Sequence, residues 1–305
     1  MKRVIWMLQA AIVVVLTFPL AVLPYRSALK AGEILGIMLF YAWGGRRRIA
    51  VENIEKAILA GALGLSSPAV AASSAETASK IARESFINLG KSLAEVVRIY
   101  YGFGDSLIRN VVIKGEEHYS RAKAKGKGII VVTGHCGNWE LLALAFGLKV
   151  APGSGVARAQ DNPYINGMIG KIRKRYGNTL IYKKGALKAV LSCLKKEGLV
   201  SILMDQAVLR DEGFIIDFLG RGAWTTKMPA LIARKTGAPV IPVFLSREGD
   251  GHVMTIYPEA PLKREEMSES ALKEDTQQLS SYVEEYIKQH PSEWLWMHRR
   301  WKRVN

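Results

Sequence analysis

Cysteine is almost missing from this chain. The two residues present, Cys136 and Cys193, stand far apart with no C-x-x-C between them, so neither a disulfide framework nor a zinc cluster is indicated, and a reducing compartment fits. Acidic side chains are also scarce. Twenty-seven Asp and Glu face 43 Lys and Arg, and the net charge of +16 implies an anionic partner: nucleic acid, phospholipid headgroups, or an acidic protein or substrate. No G-x-S-x-G elbow and no Walker A sequence occur, which disfavours a serine hydrolase of the α/β-hydrolase kind and a P-loop NTPase. There is no internal repeat, and the one low-complexity stretch, Gly61 to Ser79, reads as a loop joining two helices. With 49% hydrophobic residues in 305, the chain can bury one large core.

Charge is absent from the 22 residues Val4 to Tyr25. As a helix the run would reach roughly 33 Å at ~1.5 Å per residue, enough to cross a bilayer core. Lys2 and Arg3 ahead of it would suit a signal peptide, but no A-x-A-like site ends it, so a membrane anchor is expected. Pro19 and Pro24 are expected to break the helix, which leaves a re-entrant or interfacial segment open. Ser27 to Trp43 is apolar and followed by Arg46, Arg47 and Arg48, the pattern of a helix lying at a membrane surface with cations toward anionic headgroups. The alternative is a core helix with a solvated end. We therefore divide the chain into a membrane anchor and interfacial helix, 1–48, and a main domain, 49–305.

From Val111 onward short β-branched runs alternate with helical stretches, which predicts an α/β fold with a mainly parallel central sheet flanked by helices. Strands are expected at Ile129 to Thr133, Thr179 to Tyr182, Leu199 to Met204, Val240 to Ser246 and Val253 to Tyr257. Helices are expected at about Glu76 to Tyr101, Trp139 to Leu148, Pro163 to Tyr176, Ala186 to Lys196, Lys227 to Thr236 and Glu269 to Gln289.

Chemistry concentrates in Ile129 to Leu148, IIVVTGHCGNWELLALAFGL. A buried strand ends at Thr133, Gly134 permits a tight turn, and Asn138 is a good N-cap for a helix opening at Trp139. His135 thus leaves the carboxyl end of a strand, where open α/β sheets place their ligands. Glu140 falls in the first helical turn, where the helix dipole favours an anion. A carboxylate near an imidazole fixes its tautomer and raises its basicity, so the pair can take a proton from an attacking hydroxyl. Backbone N–H groups at the helix start could stabilise an oxyanion. A structural histidine at a strand end is the plain alternative.

GHCGNWE resembles the H-x4-D/E motif of the lysophospholipid acyltransferase superfamily, in the form typical of the lauroyl/myristoyl acyltransferases that complete lipid A. The resemblance continues through Arg48, Ala50 and Asn53, then Arg83, Phe86, Asn88 and Glu95. It extends through the R-x-x-x-N-P segment from Arg158 to its R-x3-G turn, the MDQ step at Asp205, the F-x-G-x-x-A-x-T block from Phe218, and PSEWLWMHRRWK at the end. It implies a lysophospholipid acyltransferase-like fold and an O-acyltransferase that moves a fatty acyl chain from acyl carrier protein to a hydroxyl of a lipid A precursor, without an acyl-enzyme and without cofactor or metal. The catalytic pair is then His135 and Glu140. Arg173 and Asp205 match positions that bind acceptor phosphate or support the site. Arg175 competes with Arg173 on spacing, and Lys171 and Lys174 beside them leave a solvated basic face as the plain reading.

Two residues depart from the family pattern: Cys136 replaces a bulkier side chain, and Met228 stands where Gly is common before Pro-Ala. Either could reshape the acyl or acceptor pocket. Cys136 is expected to be a small filler rather than a nucleophile. The C-terminal Trp294, Trp296 and Trp301, mixed with His298, Arg299, Arg300, Lys302 and Arg303, could bind bases and phosphates or headgroups, while the resemblance favours packing against the active-site face. The resemblance also implies the cytoplasmic side of the inner membrane, with membrane lipids and the acidic carrier protein as partners. Two other readings are a lysophospholipid or other glycolipid acceptor, and a membrane-tethered nucleic-acid-binding protein. The latter is disfavoured because no RNP, helix-turn-helix or zinc pattern occurs, so no nucleic-acid partner is expected.

Overall fold

The computed structural model describes residues 2–65, 73–182, 185–263, 266 and 268–304. Helix α1, Lys2–Val22, is longer than the prolines suggest, for Pro19 lies within it and the chain breaks only at Leu23 and Pro24. Pro19 has no N–H to give to the carbonyl one turn back, and the last turn of the helix has other support. Arg98 donates to the carbonyls of Ala21, at 2.8 Å, and of Leu23. Most apolar side chains of α1 remain exposed, Val15 and Leu16 by 69% and 72%.

Helices α2, Tyr25–Ala42, and α3, Gly44–Leu59, pack on the long helix α4, Ser74–Tyr100. The α2 contact is close because both sides lack Cβ atoms: a Cβ on Gly36 would lie 2.4 Å from the Phe86 carbonyl oxygen, and one on Gly90 would lie 2.1 Å from that of Gly32. The residues 66–72 of the expected loop lie outside the described residues. The helix expected from about Glu76 opens two residues earlier, at Ser74, so the end of the expected loop up to Ser79 is helical; Ala75 and Ala78 are good helix formers and Ala78 is buried.

Short elements α5, Asp105–Arg109, β1, Val112–Lys114, and α6, Glu116–Lys123, lead into β2, Ile129–Thr133. There follow α7, Trp139–Lys149; β3, Ser154–Ala157; α8, Pro163–Arg173; β4, Thr179–Tyr182; α9, Ala186–Lys195; and β5, Leu199–Leu203. The hairpin β6, Gly213–Phe218, and β7, Arg221–Thr226, precedes α10, Met228–Thr236, then β8, Val240–Glu248, β9, Gly251–Ile256, and α11, Glu269–Gln289. Helix α8 ends three residues before the expected Tyr176, because Tyr176 and Gly177 turn left-handed at φ 57° and 79°.

The seven-stranded sheet has the order β1-β9-β8-β2-β5-β3-β4, with β8 and β9 antiparallel and every other pair parallel. All five residues of β2 are buried, as a central parallel strand covered on both faces requires. In the register of β2 with β5, Thr133 lies opposite Leu203. Residues two steps beyond each pair, 135 and 205, therefore leave the same rim side by side.

Candidate active site

At that rim the chain turns sharply from β2 into α7. Gly137 adopts φ +52°, and a Cβ there would lie 2.2 Å from the Leu245 carbonyl oxygen, so the left-handed turn residue is Gly137 rather than Gly134. Gly134 matters for closeness, since a Cβ on it would meet the Cys136 Sγ at 3.0 Å and the Asp205 Cγ at 3.4 Å. Asn138 caps α7 as its sequence position predicts, its Oδ1 accepting from the Leu141 N–H at 3.1 Å. Its Nδ2 donates to Glu95 Oε2 at 2.8 Å.

The histidine's carboxylate partner differs from the one the motif suggests. His135 Nδ1 lies 2.8 Å from Asp205 Oδ1, and the His135 backbone N–H donates to Asp205 Oδ2 at 2.9 Å. Donation from Nδ1 to Asp205 leaves Nε2 as the acceptor, where the Gln206 amide sits at 3.2 Å. Glu140 is instead held by Arg173, whose Nε donates to Oε2 at 2.9 Å and whose second N–H nitrogen reaches Oε1. Trp139 packs edge-on to the imidazole at 5.3 Å.

Burial works against a charged imidazole at His135, but Asp205, with Glu140 adding to it, outweighs that cost and holds its pKa above the ordinary 6.5. Burial likewise pushes the Asp205 carboxyl upward; His135 and the Trp294 indole overcome this and keep it well below the usual carboxylate range. The Cys136 thiol is fully enclosed and pushed well above its ordinary value by burial and by Asp205, so it is not a ready thiolate.

A cavity of about 790 Å³ opens at this rim, a size suited to a small-molecule or chain-like ligand. His135, Glu140, Arg173, Gln206 and Arg158 line its polar end. From there it runs along one face of α7, past Trp139, Leu142, Ala143 and Phe146, toward the amino ends of the strands at Gly153 and Leu199. Val156, Leu180, Val190 and Ile232 add apolar wall, and Met228, the residue that departs from the family pattern, lies among them.

The structure thus gathers four of the six expected site residues, His135, Glu140, Arg173 and Asp205. Arg175 is elsewhere, donating to the Ile99 carbonyl at 3.0 Å and pairing with Asp105 at 3.5 Å. Asn138 shapes the helix start from behind. Sequence reasoning missed Gln206, although its place in the D-Q step next to Asp205 was the signal. Of the readings of the C-terminal stretch, base or headgroup binding or packing against the active-site face, the last fits Trp294 and Trp296: both are buried, and Trp294 Nε1 donates to Asp205 Oδ2 at 2.8 Å. Arg300 too is buried, donating to the Trp224 carbonyl at 2.6 Å and to Thr225 Oγ1.

The model of the bacterial lipid A biosynthesis acyltransferase family matches residues 2–303. The chain is 27% identical over 284 residues to the lipid A biosynthesis lauroyltransferase of Escherichia coli (strain K12), covering 92% of this chain and 87% of that protein. Against the lipid A biosynthesis palmitoleoyltransferase of the same strain it is 26% identical, with 92% and 86% covered. A phosphatidylinositol mannoside acyltransferase of Mycolicibacterium smegmatis is 24% identical over 188 residues, 61% of this chain and 60% of that one.

Proposed function

The chain belongs to the bacterial lipid A biosynthesis acyltransferase family, and on that footing we propose that it carries a fatty acyl group from acyl carrier protein to a hydroxyl of a lipid A precursor, with His135 as general base. The family makes it an acyltransferase of lipid A synthesis. One observation carries the finer reading: an imidazole whose Nδ1 is tied to a buried carboxylate presents Nε2 at the polar end of a long apolar cavity.

In this reading the acyl chain lies along α7, with its thioester carbonyl at the rim. The acceptor hydroxyl displaces the Gln206 amide from His135 Nε2 and gives its proton to that nitrogen as its oxygen bonds to the carbonyl carbon. The tetrahedral intermediate is stabilised by the start of α7. The carbon–sulfur bond then breaks, and the departing thiolate takes the proton back from the imidazolium. Asp205 and Glu140 offset the positive charge on the ring meanwhile. Arg173, held by Glu140, faces the acceptor and pairs with a phosphate of the lipid A precursor. No covalent enzyme intermediate is formed.

The protein is membrane-associated, and α1 is long and apolar enough to cross a bilayer. We place it in the inner membrane with residues 49–305 on the cytoplasmic side, where acyl carrier protein is found. Exposed Ile34, Met38 and Tyr41, spaced along one face of α2, suit interfacial contact within residues 1–48.

The similarity to phosphatidylinositol mannoside acyltransferases favours a second reading, with another glycolipid as acceptor. Mass spectrometry of lipids from a deletion strain separates the two. Loss of one secondary acyl chain from lipid A is expected, and intact lipid A with an altered glycolipid would replace the first reading by the second. In vitro, His135→Ala should lose about 100- to 10,000-fold of transfer or more while staying folded. Near-native turnover by that folded variant would remove His135 from the mechanism.

A further inference from the structure

Residues 293–298 run beside the turn that carries His135. Cys136 and Trp294 form an antiparallel bridge, the Gly137 N–H donates to the Glu293 carbonyl at 2.8 Å, and the Leu295 N–H donates to that of His135 at 3.2 Å. This strap is fixed from the far side by α3, where Asn53 Nδ2 donates to the carbonyls of Trp296 and His298 at 2.9 and 3.1 Å and Arg46 donates to that of Met297 at 3.1 Å. The Trp294 ring is wedged among Phe218, Trp296 and Trp301, with centroids 5.4, 4.7 and 6.1 Å away.

Asp205 receives three N–H donors, and two of them belong to His135 itself. The ring donor ties Oδ1 only to the imidazole, while the backbone N–H of His135 and the Trp294 indole share Oδ2. Among the described residues, Trp294 alone supplies a donor to Asp205 from outside the pair, on a ring that is buried. A hydrogen bond to a buried carboxylate also has strict direction, so it selects one rotation of the carboxyl group.

We infer that Trp294 is a positioning residue for acyl transfer: its indole N–H fixes Asp205 Oδ2, so that Oδ1 meets His135 Nδ1 and Nε2 is aimed into the cavity. The inference rests on His135 as the general base. It gives the C-terminal strap a part in the chemistry, beyond its burial in the core. Trp296 is the internal contrast, since it is equally buried in the same strap but donates to the Pro291 carbonyl at 2.6 Å and not to the site.

The test uses the full-length protein and compares Trp294→Phe, Trp296→Phe and His135→Ala with each substrate varied in turn. Phenylalanine keeps an aromatic ring at 294 and deletes the N–H. Benzothienylalanine at 294, shaped like tryptophan but without the donor, serves should the phenylalanine variant fold poorly. Loss of the donor should lower kcat about ten- to a hundredfold, because a buried hydrogen bond to a charged group is lost. Both KM values should stay within about twofold, since no substrate contact is removed. The acidic limb of kcat/KM should move to higher pH, because the Asp205 charge no longer shared with the indole acts in full on His135. Trp296→Phe should leave kcat and that limb near wild type. If His135→Ala is inactive yet both donor-deleted variants keep wild-type kcat and pH profile, the role of Trp294 is overturned and His135 stands. Equal losses at 294 and 296 with no shift of the limb would also overturn it, by making the strap purely structural. An active His135→Ala would instead overturn the base assignment on which the inference rests.

Discussion

Two glutamate–arginine pairs flank the start of α7, each joined by two hydrogen bonds, and their surroundings differ. Glu95 and Arg247 meet at 2.6 and 2.9 Å, with side chains 0% and 10% exposed. Glu140 and Arg173 are 18% and 25% exposed and line the cavity. Glu95 also accepts from Asn138 at 2.8 Å and Tyr25 at 2.9 Å, and His252 Nε2 lies 3.4 Å away. Its oxygens thus join its own helix, α4, to four other elements of the fold: α2, the cap of α7, β8 and β9. Glu140 is committed to one partner and a ligand space. The pairing alone therefore does not tell function from structure; the remaining neighbours and the access of solvent do.

The largest expected effect is on stability. Glu95→Ala would leave Arg247 buried without its counter-charge and strip the Asn138 cap of its support, at a cost of about 3–5 kcal/mol. That is a large fraction of the ~5–15 kcal/mol holding a typical domain. Glu140→Ala, beside a part-exposed arginine, should cost about 1 kcal/mol or less. Urea unfolding of both variants measures the difference, and equal losses would break the comparison.

Activity should rank the pairs the other way. Glu140→Gln is expected to lower transfer by about a hundredfold or more at nearly unchanged urea midpoint, because an amide neither offsets the imidazolium nor holds Arg173. Steady-state rates on a variant of verified fold decide this. A smaller effect belongs to Arg173 itself. Replacement by Ala should raise the acceptor KM by about tenfold with little change in the donor KM, and Lys should restore it only in part, since a two-point contact needs the guanidinium. Arg175→Ala should leave both KM values alone, its contacts being with Ile99 and Asp105. A raised acceptor KM in the Arg175 variant would reverse the assignment of the two arginines.

The finest distinction is in pH. Burial raises the Glu95 carboxyl, but His252 and Arg247 outweigh it and bring it to about 2. Since its unfolded pKa is about 4.3, the pair contributes in full above that value and its contribution is lost as pH falls through about 2. His135 is shifted the opposite way, above 6.5, so its link to Asp205 stabilises fully below 6.5 and is lost as pH rises through the folded value. Between about pH 4.5 and 6.5 the protein should therefore stay folded by near-ultraviolet circular dichroism while kcat/KM falls, because the base is protonated. Simultaneous loss of signal and activity in that window would show that a structural group, not His135, sets the limb.

Much of the fold was legible from local pattern. The β2 strand, the turn and the α7 helix with its Asn138 cap lie where β-branched periodicity, glycine and an asparagine predict them. Strands β1 and β3 were not legible, because β1 has only three residues and β3, SGVA, carries a serine and a glycine where β4, of the same length, carries TLIY. The β6–β7 hairpin was missed as well. Leu219 takes φ 54° at its turn, where no Asn-Gly or Asp-Gly announces it, and that turn is held by Glu284, which accepts from the Leu219 N–H at 3.0 Å.

The sequence by itself determined a cationic chain with an apolar first helix, an α/β domain, and a histidine and a glutamate placed around a strand-to-helix turn. These follow from composition, periodicity and capping, which act between near neighbours in the chain. Only the tertiary structure decided which carboxylate holds the histidine. Glu140 is five residues from His135 and Asp205 is 70, yet β2 and β5 are adjacent and parallel with Thr133 opposite Leu203, and that register sets His135 against Asp205. It likewise chose Arg173 over Arg175 for the cavity, because α8 ends at Arg173 and Arg175 falls in the short turn beyond it, where it reaches Ile99 and Asp105 instead. Strand order and the direction of a broken helix arise from contacts between distant segments, and no spacing along the chain encodes them.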